Sequence, residues 1–444
     1  MFIHLKALIQ RARNHQGFKR HFANTSWVMG EQLLRLSAEL LVGIWVARHL
    51  GAEQFGLLSY VIAFVAIFGV VARLGLDSIV VRNLVNNPGQ YNQILGTAFW
   101  LKLVGGIFSL AIVSLALVML SNDTTANLYI LIIASGMIFQ SFEVVALYFQ
   151  SQVQSKYISS AKLIQLLLSS LLKIYLVCVD GDLRWFVLVS LVDQITLAAS
   201  YFIIYRRRRL GNFFRTFDSA TAKKLLIDSW PLIFSGLVVM IYMRIDQIMI
   251  KEMMGDKEVG IYSVAVRISE VWYFIPMVIT ASLFPSIINA KKVSEELYYA
   301  RLQRLYSLMV LIAIAVAVPT TFISDWLVVF LYGEEYRLAG DILRINIWAG
   351  VFVFLGVASG SWLANENLQH LDFYRTFSGA VANVLLNLLL IPMYGLIGAA
   401  VATVISYMLA GFLFDFFNKK TRVLFAMKIA AFSMRGIKAG FAAK

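Results

Sequence analysis

Glu31, Arg35 and Glu39 recur every four residues in the otherwise apolar run SWVMGEQLLRLSAELLVGIWVA. On a helix the three share one face. Arg244 and Asp246 interrupt VVMIYMRIDQIMI, and Lys173, Glu143 and Asp193 each stand in a long apolar stretch. These types suit two kinds of chemistry. Arginine and lysine supply cationic donors that replace water around an anion, and the arginine fork fits phosphate oxygens in pairs. A carboxylate in apolar surroundings calls for a proton, a cation or a partner. Arg35, Lys173 and Arg244 are therefore candidate substrate-binding residues. Glu31, Glu39, Glu143, Asp193 and Asp246 are candidate ion-coupling residues. A second reading stands beside each: a buried ion pair or hydrogen bond that locks two helices together. Arg244 and Asp246, two residues apart, point about 200° from each other on a helix. They are poor partners for one another, and each needs a different neighbour.

The elements that hold these residues follow from composition. Of 444 residues, 60% are hydrophobic and 14% charged, with mean hydropathy +0.75. Globular chains carry about 25% charged residues, so this one has too little polar surface for a water-soluble body. A bilayer core takes about 20 apolar residues per helix, and backbone in lipid must satisfy itself, which makes the spans helical. The single cysteine, Cys178, excludes a disulfide framework and a cysteine metal site. The five histidines form no ligand pattern. No cofactor is expected.

The sequence predicts an all-α polytopic membrane protein with about twelve transmembrane helices, at roughly 27–47, 57–72, 94–119, 127–149, 161–179, 184–205, 230–250, 262–288, 305–324, 342–363, 377–394 and 396–417. It reads as a basic amphipathic tail (1–26, with Leu5, Leu8 and Ile9 at helical spacing), a six-helix bundle (27–205), a basic linker (206–229), a second bundle (230–417) and a basic tail (418–444). Counting edge residues with the loops, 28 of the 39 lysines and arginines fall on one side, 5 on the other and 6 within spans. By the positive-inside rule both termini are cytoplasmic. The net charge of +14 is then mostly topology, and no nucleic-acid partner is expected. The tail after 417 has the composition of a surface segment drawn to anionic membrane lipid.

The chain also repeats itself. GAEQFGLLS at Gly51–Ser59 and GDKEVGIYS at Gly255–Ser263 share two glycines and a serine at one spacing, each between the first two spans of a half. Two halves of like topology imply a pseudo-two-fold axis along the membrane normal with a cavity between them.

These segments carry a family likeness. ARHLGAEQFGLLSY (47–60) with GLDSIVVR (75–82), the Pro231–Pro285 region around MRIDQIMI and GIYSVAVRISE, and IPMYGLIGAAVATVIS (391–406) resemble the polysaccharide transporter family of the multidrug/oligosaccharidyl-lipid/polysaccharide (MOP) superfamily, which includes O-antigen-unit flippases. The resemblance implies a bacterial inner-membrane flippase. It would carry undecaprenyl-diphosphate-linked glycan to the outer leaflet by alternating access, with other polysaccharide-assembly proteins as partners. It also singles out Arg244.

No G-x-x-x-x-G-K-[ST] occurs, so energy must come from an ion gradient, the membrane potential or product consumption. Asp180-Gly181-Asp182 reads as an acidic turn on the outer side. Lys102 lies near a span end, where a lysine snorkels to the interface, and Arg267 with Glu270 reads as a local i, i+3 pair. The rival functions are a multidrug or cation antiporter of the same superfamily, and a membrane-embedded polysaccharide polymerase. An antiporter for cationic drugs would want net acidic spans, whereas the six basic residues within spans face six acids. A polymerase would want a long arginine-bearing outer loop, and 325–341 holds only Arg337.

Overall fold

The computed structural model describes residues 16–120 and 123–433. The predicted face of Leu5, Leu8 and Ile9 lies outside them. Among the described residues the chain is helical throughout, without strands. The helices are α1 Gln16–Arg73, α2 Leu76–Asn86, α3 Tyr91–Leu120, α4 Thr124–Ser135, α5 Val144–Ser151, α6 Ser155–Cys178, α7 Leu183–Arg207, α8 Ser219–Met253, α9 Asp256–Glu270, α10 Phe274–Lys291, α11 Glu295–Tyr332, α12 Leu338–Asn346, α13 Ala349–Asn365, α14 Gln369–Met408, α15 Phe414–Phe417 and α16 Arg422–Ala431.

Among the described residues, ten helical stretches are long and apolar enough to cross a membrane. Two are double. Ser26–Asn86 has 61 residues, about 90 Å of helix at 1.5 Å per residue, three times the bilayer core. It breaks at Gly51 (φ 71°), where only glycine takes the positive φ without strain. Gln369–Phe417 breaks likewise at Gly395 (φ 59°). Dividing both gives the twelve spans of the sequence pattern.

The chain packs as two compact units. One holds residues up to His49 together with Phe64–Leu237, and the other holds Leu50–Ala63 together with residues from Val238 onward. The core of the first is built from Leu95, Phe99, Val144, Tyr205 and Phe213. That of the second surrounds α11, where Leu305, Tyr306 and Met309 meet Phe354 and Leu355 of α13.

The placement of 50–63 has a physical cause. A Cβ on Gly56 would stand 1.7 Å from the Asp256 carbonyl oxygen, and one on Gly260 would stand 1.9 Å from that of Ala52. Gly56 and Gly260 occupy the same place in the two sequence repeats, as do Ala52 and Asp256. The repeats therefore meet each other backbone to backbone, reciprocally, at a contact only glycine permits. Glu335 fastens this corner by accepting from the Ala52 N–H at 2.8 Å.

Three helices change their winding inside a span. α4 passes through a 3₁₀ segment, Gly136–Glu143, into α5. α9 passes through Val271–Tyr273 into α10. α14 ends in a π turn, Leu409–Leu413. Such breaks free backbone groups from the regular ladder, and a charged residue stands at or beside each.

The linker between the bundles is stitched to the start of α3. Thr216 Oγ1 donates to the Asn92 carbonyl at 2.7 Å, the Asp218 N–H to Thr97 Oγ1 at 3.1 Å, and Trp100 Nε1 to the Phe214 carbonyl at 2.9 Å. Gly96 allows the approach, since a Cβ there would lie 2.2 Å from the Phe213 carbonyl oxygen.

Candidate functional site

In the first unit, each candidate acid is met by a cation. Arg35 Nε donates to Glu31 Oε1 at 2.7 Å, and its Nη1 lies 3.8 Å from Glu39 Oε1. The stack predicted from spacing forms within one helix, with Glu31 buried and Glu39 exposed. Arg35 Nη2 is buried with no hydrogen-bond partner. Lys173 Nζ lies 3.6 Å from Asp193 Oδ2, which also accepts from Ser169 at 2.9 Å. A candidate anion binder and a candidate ion site are thus one pair.

Glu143, at the end of the 3₁₀ segment in the α4–α5 span, lies 3.4 Å from Lys102 Nζ, which donates to Asp77 at 2.5 Å. Lys102 is fully buried. The snorkelling expected of it does not occur, because Asp77, in the first turn of α2 after the left-handed Gly75, brings a carboxylate to it.

In the second unit, Arg244 and Asp246 diverge to different partners. Arg244 Nη1 and Nη2 donate to Glu270 Oε1 and Oε2, both at 3.3 Å. Glu270, read from sequence as a local partner of Arg267, faces α8 in this way. The Arg267 guanidinium lies over the Phe55 ring at 4.6 Å.

Asp246 is buried, 5% exposed, and among the described residues no lysine or arginine pairs with it. Tyr262 Oη donates to its Oδ2 at 2.7 Å, and Asn387 Nδ2 to its Oδ1 at 2.5 Å. Thr403 Oγ1 stands 2.7 Å from Oδ2, 2.9 Å from the Ala399 carbonyl oxygen and 3.0 Å from Tyr262 Oη. The threonine hydroxyl has one proton for these oxygens. Asn387 also donates to Asn383 Oδ1 at 3.2 Å, and Asn387 Oδ1 is buried without a partner. The cluster is a carboxylate met by two hydroxyls and an amide nitrogen, with the Asn387 amide oxygen idle among the described residues. The oxygens gathered there suit a proton or a hard cation. Asn383 and Asn387, four residues apart, share one face of α14. Tyr262 and Thr403 carry no charge and gave no signal beyond lying in the quoted motifs.

One further charged cluster gave no signal in the sequence. Lys428, on α16 in the tail, is fully buried and donates to Asp415 at 2.5 Å and to the Gly411 carbonyl, in the π turn, at 2.7 Å. Burial pushes its ammonium down to about 8, against the opposing pull of Asp415. The other sequence signals stay modest. Asp182 pairs with Arg184 at 2.8 Å, and Asp180 takes a positive φ of 55°, as an acidic turn does.

This arrangement, twelve apolar helical spans with charged residues at the helix breaks, defines a polytopic membrane protein. Its fold matches the inward-closed lipid II flippase MurJ with a TM-score of 0.68 at 14% identity, over 92% of this chain and 90% of that one. The model for the family described as polysaccharide biosynthesis protein matches residues 22–291, and that for MatE matches 231–389. The chain belongs to the polysaccharide biosynthesis protein family, within the MOP superfamily.

Among curated relatives, the probable flippase AglR of Haloferax volcanii is 30% identical over 182 residues, 39% of this chain and 37% of AglR. The capsular polysaccharide biosynthesis protein CapF of Staphylococcus aureus is 20% identical over 404 residues, 89% of this chain and 99% of CapF. The alignment to AglR thus spans little more than a third of that relative.

Proposed function

We propose that this protein is a flippase, not an enzyme. It carries a polyprenyl-diphosphate-linked oligosaccharide from the cytoplasmic to the outer leaflet of a bacterial inner membrane, with undecaprenyl as the carrier and both termini cytoplasmic. The bundles 27–205 and 230–417 alternate access around the substrate. Arg244 binds the diphosphate, with Arg35 and Lys173 as further cations along the path. Asp246 takes the coupling proton or cation. One observation carries this reading: a single helix, α8, holds an arginine that grips a carboxylate with both Nη atoms and, two residues on, a buried carboxylate that among the described residues meets only neutral donors. Family membership and the flippases among its relatives support it. The membrane potential adds about 2.3 kcal/mol per charge per 100 mV, and with a negative interior it drives an anionic headgroup outward.

The test is the sidedness of the lipid-linked unit in cells lacking the protein. Accumulation on the inner leaflet is expected, relieved by wild type and not by Arg244→Ala expressed at equal level. Normal appearance of the unit on the outer leaflet would sink the reading. The MatE match favours drug efflux as the second reading, and a drop in drug resistance on deletion, with glycan export intact, would establish it instead.

A further inference from the structure

We propose that Glu270 is a built-in competitor for the substrate's diphosphate, occupying Arg244 between transport events and setting which lipid headgroups can displace it. The inference rests on Arg244 being the anion-binding residue, as proposed above.

The Arg244–Glu270 contact has the fork-on-fork form that a guanidinium gives to carboxylate and phosphate alike, yet it is slack. Both bonds are 3.3 Å, where charge-assisted N–H···O bonds run about 2.7–2.9 Å. The Arg35–Glu31 and Lys102–Asp77 pairs are tighter, at 2.7 and 2.5 Å. Neither partner is sealed, since the two side chains are 27% and 23% exposed. Glu270 is the last residue of α9, where the span passes through a 3₁₀ turn into α10.

An exchangeable carboxylate does two things here. When the glycolipid leaves, Arg244 is not stranded as an unpaired charge in apolar surroundings, which would oppose release. When a headgroup arrives, it must outbid a carboxylate of charge −1. An ordinary phosphodiester lipid also carries −1 and gains nothing by the swap. A diphosphate diester carries −2 and more acceptor oxygens, and it wins. Glu270 thereby acts as a threshold that excludes the bulk phospholipid bathing the protein.

The experiment uses the full-length protein in detergent. It titrates a short-prenyl diphosphate monosaccharide against tryptophan fluorescence, alone and in competition with phosphatidylglycerol. Glu270→Gln is expected to bind the probe about tenfold more tightly, the worth of one charge-assisted hydrogen bond, and to let phosphatidylglycerol compete at correspondingly lower concentration. Glu270→Asp, whose carboxylate falls one methylene short, should shift the same way by less, and it serves if the glutamine variant folds poorly. Arg244→Ala should abolish binding. If it binds like wild type, the Arg244 site itself is wrong, and this inference falls with it. If Arg244→Ala loses binding but both Glu270 variants keep wild-type affinity and discrimination, or bind more weakly, the competitor role is overturned and the site stands.

Discussion

The two compact units differ in how they hold their candidate ion-coupling carboxylates. In the first, Glu143 and Asp193 each lie near a lysine, and Glu31 shares Arg35 with Glu39. In the second, Asp246 has hydroxyl and amide donors and no cation among the described residues. A paired carboxylate has its charge already balanced, and adding a proton or cation means breaking a bond. One held by neutral donors has no counter-charge to give up, and an ion can reach it without breaking an ion pair. The five acids singled out by sequence are therefore not equivalent, and ion coupling is best sought at Asp246. A repeated architecture need not repeat its chemistry.

The contrast can be broken or sharpened by substitution. The largest effect on stability is expected at the fully buried pair of the second unit. Lys428→Met strands Asp415, which is 1% exposed, and should cost about 3–5 kcal/mol. Lys428→Met with Asp415→Leu should recover most of that in thermal unfolding. Neither variant should alter ion dependence, which separates pairing as such from the Asp246 chemistry.

Next comes Asp246→Asn. It keeps the shape but faces an amide group toward the Tyr262 and Asn387 donors, at about 1–3 kcal/mol for each donor left unpaired. Its diagnostic is the ion response. Wild type should gain melting temperature as the coupling cation or proton is added, following RT ln(1 + [L]/Kd), and the variant should not. An equal response in both would erase the distinction between the units. The smallest effect belongs to Lys173→Met. Its half-open 3.6 Å contact with Asp193 should be worth about 0–1 kcal/mol in the same unfolding measurement, and glycan export should slow rather than stop if Lys173 lies on the path.

Much of this was legible in the sequence because it depends on helix period and composition alone. Apolar run lengths marked the spans. The 100° step per residue told that Arg244 and Asp246 must part and that Glu31, Arg35 and Glu39 must stack. The glycine repeat pointed to a like corner in each half, though not to the contact between the corners, which depends on two backbones meeting at Gly56 and Gly260. What stayed hidden was the identity of neighbours across helices. Period fixes the face of a residue on its own helix but says nothing of which helix lies opposite. Lys102 read as a snorkelling residue because Asp77 stands just past a span end. Lys428 read as tail. Tyr262 and Thr403, without charge, did not stand out from the apolar residues around them.

The stitched linker bears on how this chain can be cut. A split-gene experiment, with two fragments made separately and left to reassemble, would naturally place its break between the bundles. Within 210–218 that break would cut through a segment tied to Asn92, Thr97 and Trp100 by the Thr216 hydroxyl, the Asp218 amide and the Phe214 carbonyl. The acidic turn at Asp180–Asp182, where the Asp180 side chain is 98% exposed, carries fewer such ties, among them that of His49 Nε2 to the Gly181 carbonyl at 2.9 Å. Breakage and insertion are tolerated where backbone is exposed and unbonded. The seam that sequence composition marks as the boundary is thus the worse place to divide the molecule, and a short turn inside the first bundle is the better one.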